Sequence, residues 1–88
     1  MDHCAEKIQA LFEWILKLDN VADCQALFED MCTRKEIEKM AERIFAAKLL
    51  MEGKTYNQVM EVADISSATL SRVSQCVQYG KGYSKMLK

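Results

Sequence analysis

No proline interrupts this chain, and its three glycines stand at positions 53, 80 and 82, so 52 residues pass before either usual breaker of regular structure. Apolar residues recur through that stretch at three- and four-residue spacing. Nowhere does the sequence alternate with the period of two that a half-buried strand requires. The expected fold class is all-α, a bundle of five to six helices joined by short turns. At 88 residues, half of them hydrophobic, the chain has the size at which one copy builds a marginal core and a second copy completes it. A single domain over 1–88, working as a homodimer, is the expectation.

The elements follow in order. A first helix is predicted over residues 4–18, with Asp2 as its cap, Cys4, Ile8, Leu11, Phe12, Ile15 and Leu16 on one side, and Glu6, Lys7, Glu13 and Lys17 on the solvated side. Asp19-Asn20 breaks it, and a second helix over 21–31 carries Cys24, Leu27, Phe28 and Met31. Thr33-Arg34-Lys35-Glu36 reads as a capping box opening a long third helix that Gly53 ends. A second box, Thr55-Tyr56-Asn57-Gln58, opens a short helix to about residue 63. Asp64 stands at a sharp turn, where aspartate tolerates a left-handed conformation, and Ser66 caps a helix to about residue 78. The tail from 79 to 88 has room for one weak helical turn.

Charge separates along the chain: residues 1–32 hold seven acids and two bases, residues 33–88 ten bases and six acids. After Asp64 there is no acid, only Arg72, Lys81, Lys85 and Lys88. A surface built by the last quarter is positive and suits a polyanion. No apolar run is long enough to cross a bilayer and the first residues lack the features of a signal peptide, so a cytoplasmic protein without membrane contact is expected. Cys4, Cys24, Cys32 and Cys76 form no CxxC pair and His3 is the single histidine, so no metal site or cofactor is indicated. The cysteines read as thiols, mostly on buried helix faces. With no nucleophile or carboxylate pair placed beside a base, an enzyme is not indicated.

Two capped helices about a short turn, over 55–78, form a helix-turn-helix. With Val59, Ile65, Leu70 and Val73 inward, Ser67, Ala68, Ser71, Arg72 and Gln75 share the outward face of its second helix. These side chains are small enough to enter a groove of double-stranded DNA. Arg72 is suited to a guanine edge or a phosphate, Ser67 and Ser71 to either, and Ala68 or the Thr69 methyl to a thymine methyl. Thr55, Tyr56 and Ser66, at helix starts, suit the phosphate backbone. The bland alternative is a bundle corner, but a corner needs no acid-free face. A different class of reading is a protein-interaction adaptor docking through Phe12, Trp14 and Phe28, side chains that equally suit a dimer core.

Two blocks, Cys32-Thr33-Arg34-Lys35-Glu36 through Arg43 to Leu49-Leu50-Met51-Glu52-Gly53-Lys54, and Ser66-Ser67-Ala68-Thr69-Leu70-Ser71-Arg72-Val73, with the tail Tyr79-Gly80-Lys81-Gly82-Tyr83, resemble the Trp repressor superfamily, most closely its YerC/YecD branch. The resemblance implies an intertwined homodimer: residues 1–32 form dimerisation helices, 33–54 a long central helix, 55–78 the DNA reader and 79–88 a tail. It implies a sequence-specific transcriptional regulator. Met60 stands where the family usually has alanine at the helix crossing, and Asp64 where it has a turn glycine; the methionine is expected to open the interhelical angle.

The Trp repressor holds an amino-acid corepressor between the long helix and the reading helix, and the resemblance implies a matching position here. Thr33, Arg43 and Arg72 match that ligand set, while Val73 replaces the glycine that leaves room for an indole ring and Cys76 replaces the serine that meets the amino group. Val73 is expected to fill the slot, and Asp30, where the repressor has leucine, adds an acid. Tryptophan is therefore not expected to bind tightly, whereas another small anionic effector between Arg43 and Arg72 is compatible with the residues. The competing reading of Arg43 is a salt bridge to a nearby carboxylate.

Overall fold

The computed structural model describes residues 3–88, so Asp2 and its expected capping role lie outside the described residues. Six helices and no strand occur among those residues: α1 (Cys4–Ile15), α2 (Val21–Met31), α3 (Arg34–Met51), α4 (Tyr56–Val62), α5 (Ser67–Tyr79) and α6 (Gly82–Met86). The all-α expectation holds, and the tail's weak turn is the sixth helix. None of the helices is long and apolar enough to cross a membrane.

The chain divides into two compact units, Met1–Arg34 and Lys35–Lys88. In the first, α1 stops three residues before the expected end. The Lys17 and Leu18 amides tighten onto the carbonyls of Trp14 and Ile15, and the chain leaves the helix to reach Asn20, which is extended at φ −149°. Asn20 is the cap that α2 demands: its side-chain oxygen accepts from the Asp23 amide at 2.8 Å while its Nδ2 donates to Asp19 and Asp23. Neither α1 nor α2 contains a buried residue; Phe12 is 56% exposed and Trp14 63%.

The second unit owns the core. Ala46 of α3, Val59 and Ala63 at the end of α4, and Leu70 of α5 are buried together, with Leu49, Leu50 and Ile65 packed around them. The small alanines let α3 approach closely. Gly53, the one described residue with positive φ (91°), closes α3: the Gly53 amide donates to the Leu50 carbonyl at 3.0 Å and the Lys54 amide to Leu49 at 3.1 Å, the two bonds of a Schellman motif. The α4 capping box forms as expected, with the Gln58 amide on Thr55 Oγ1 at 3.2 Å and the Thr55 amide on Gln58 Oε1 at 2.9 Å.

Three expectations fail. Asp64 is not left-handed, since no described non-glycine residue has positive φ; the turn runs extended from Ala63 (φ −110°) to Ser66 (φ −72°). The Asp64 amide donates to the Glu42 carboxylate at 3.1 Å, so α3 holds the turn from outside and no glycine is needed. Met60 does not sit at the helix crossing: Val59 and Ala63 face the core, and Met60, one residue out of phase, is 42% exposed. No cysteine is buried; Cys24, Cys32 and Cys76 are half-buried and Cys4 exposed, and none is in a disulfide.

Candidate nucleic-acid interface

The α5 helix is built to show one face and hide the other. Ser66 is extended and its hydroxyl accepts from the Thr69 amide at 3.2 Å while donating to Thr69 Oγ1 at 3.0 Å. Leu70, Val73 and Ser74 are buried, and Ile65 anchors the preceding turn to the core. That phase leaves Ser67, Ala68, Ser71, Arg72 and Gln75 exposed on a common face, as their spacing predicts. Ser74 was not distinguished by the sequence, because a serine on the apolar side gives no pattern; it is buried and accepts from Gln78 Nε2 at 3.3 Å.

The remaining site residues divide between surface and scaffold. Tyr56 is exposed at the start of α4. Thr55 is also exposed, but its hydroxyl is committed to the capping box. Ser66 and Thr69 are likewise engaged with one another, so their first role is to fix where α5 begins.

Arg43 of α3 and Arg72 of α5 border one cleft of about 540 Å³, together with Val73, Cys76 and Tyr83 of α6. Thr33, the third member of the expected ligand set, belongs to the N-terminal unit. Val73, expected to fill the slot, is buried and forms part of the cleft wall. Neither Arg43 nor Arg72 makes an ion pair with any described residue. Two unpartnered guanidiniums beside an open cleft can attract an anion, either a small carboxylate or a phosphate of a polymer.

Tyr83 is a cleft residue that the sequence alone does not reveal, although it lies in the tail motif Tyr79-Gly80-Lys81-Gly82-Tyr83. It reaches the cleft because α6 folds back on α5: Gly80 permits the turn, and the Lys48 Nζ donates to the Leu87 carbonyl at 2.9 Å. A five-residue helix leaves too little periodicity in the sequence to reveal which face it buries.

A family model for the Trp repressor protein matches residues 6–88. The uncharacterized protein YerC of Bacillus subtilis (strain 168) is 37% identical over 81 residues, covering 92% of this chain and 78% of its own. Among solved structures, a candidate Trp repressor from Staphylococcus aureus is similar at a TM-score of 0.87 with 35% identity, over 93% of this chain and 83% of that one. A TrpR-like protein from Eubacterium eligens gives a TM-score of 0.87 with 34% identity, over 98% and 96% of the two chains. These similarities span the N-terminal helices as well as the helix-turn-helix, and the chain belongs to the Trp repressor family.

Proposed function

We propose that this protein is a sequence-specific DNA-binding transcriptional regulator, a repressor by occupancy, that works as a homodimer with each α4–α5 pair reading one half-site. The observation that carries this reading is the exposed α5 face, where small side chains surround an unpartnered Arg72 and the chain beyond Asp64 offers no acid to repel phosphate. Family membership supports it. Ser67, Ser71, Arg72 and Gln75 meet base edges or phosphates, Ala68 and the Thr69 methyl allow close approach, and Thr55, Tyr56 and Ser66 stand at the helix starts nearest the backbone. The exposed apolar residues of α1 and α2 support a dimer in which a second copy covers them.

The experiment is a salt titration of binding to mixed-sequence duplex DNA by the wild type and by Arg72→Ala. Affinity is expected to fall with added salt and to fall by about tenfold or more with the substitution, because each phosphate contact releases counterions and a bidentate arginine contributes roughly 1–3 kcal/mol. Salt-insensitive behaviour with capture of a specific protein through Trp14 would instead favour the adaptor. As for the effector, Val73 and Cys76 support a regulator that does not respond to tryptophan, with the Arg43–Arg72 cleft open to a different small anion. Calorimetry with L-tryptophan should show no micromolar binding.

A further inference from the structure

The α3 face that packs on the helix-turn-helix continues past the packing. In its C-terminal half that face is Ala46 and Leu50, set against Val59 and Leu70. Four residues of helix rotate a face by only about 40°, so Lys35, Lys39 and Arg43 lie on the N-terminal continuation of the same stripe, over about 12 Å of axis at ~1.5 Å per residue. All three are exposed and none has a hydrogen-bond or ion-pair partner among the described residues. Lys39 and Arg43 line a second cleft, of about 300 Å³, whose other wall is Asp64, Ile65, Ser66 and Thr69, the turn and the capped start of α5.

The acids lining this cleft are Glu42 and Asp64. Glu42 lies on the stripe, but its carboxylate already accepts from the Asp64 amide at 3.1 Å. Lys35 stands about two turns of α3 from Glu42, while Glu36 and Glu38 flank the stripe to either side on α3. Cations strung along a helix rather than converging on a point suit a regularly charged polymer, one charge per ~3.4 Å of a DNA strand, better than a compact anion. Lysine, a point charge on a flexible stem, suits phosphate rather than a base edge.

Resting on the DNA-reading function proposed above, we infer that Lys35 and Lys39 form a second, sequence-independent contact with the phosphate backbone beside the groove that α5 enters. The α3 helix is then both the spine of the core and a rail along one DNA strand. These lysines add affinity equally on every sequence; the α5 face supplies preference.

The test is the salt dependence of binding to a mixed-sequence duplex by wild type, the double variant K35A/K39A, and a charge-matched control, K7A/K17A, at exposed lysines in α1 and just after it. The expected result is a log–log salt slope flatter by about 2 for K35A/K39A, with roughly tenfold weaker binding at low salt. Its circular dichroism and thermal midpoint should match wild type, since both side chains are exposed and unpartnered. The control should keep the wild-type slope. An unchanged slope in K35A/K39A, or an equal flattening in K7A/K17A, overturns the rail while leaving the reader intact. Failure of the wild type to bind any duplex overturns the reading of function, and the rail with it.

Discussion

The hydroxyls at the two helix starts separate into those that build and those that face outward. Ser66 caps α5 and grips Thr69, whereas Ser67 and Ser71 stand exposed on the reading face. Ser66→Ala is therefore expected to lower unfolding stability by about 1 kcal/mol, the usual cost of a lost cap, and Ser71→Ala to leave stability within about 0.5 kcal/mol while weakening DNA binding. Urea unfolding beside fluorescence anisotropy separates the two effects; equal stability for both variants would refute the division. The caps were legible because a capping box involves residues three apart and needs no tertiary knowledge. The backbone at Asp64 was not, because Glu42, 22 positions earlier, holds that turn. Arg43's lack of a partner was equally invisible, since acids close in sequence point elsewhere on a helix.

Helix by helix, legibility follows length and punctuation. The ends of α2, α3 and α5 lie where capping residues and Gly53 put them, while α1 ends early because Asn20 draws the chain out of its helix, and α6 is too short to show a face. The α5–α6 junction depends on Gly80. A Cβ there would stand 2.6 Å from the Cys76 carbonyl oxygen, which is backbone and cannot rotate away. Gly80→Ala is expected to displace α6, break the Lys48–Leu87 hydrogen bond, withdraw Tyr83 from the arginine cleft and cost about 1–3 kcal/mol. Amide hydrogen exchange should accelerate in 82–87 with little change in α3 and α4. Unchanged protection in α6 would show that the junction tolerates the methyl group.

Taken whole, the chain keeps its buried residues in the second unit, while large apolar side chains of the first stay exposed. The buried residues run from Ala46 to Ser74, whereas Phe12, Trp14 and Leu16, the last 82% exposed, lie in the first unit. A second copy covering these residues makes the thermal midpoint rise with protein concentration, and Trp14, the single tryptophan, reports the event by its emission. A concentration-independent midpoint together with a 10.1 kDa species in light scattering at micromolar concentration would refute the dimer. The lack of any buried residue in α1 and α2 also bears on dosage. Where subunits pair only by mass action, the paired fraction itself falls on dilution, so for the proposed dimer halving the cellular supply of this chain is expected to remove more than half of the paired form, and a gene regulated by that form is expected to respond to copy number more steeply than in proportion.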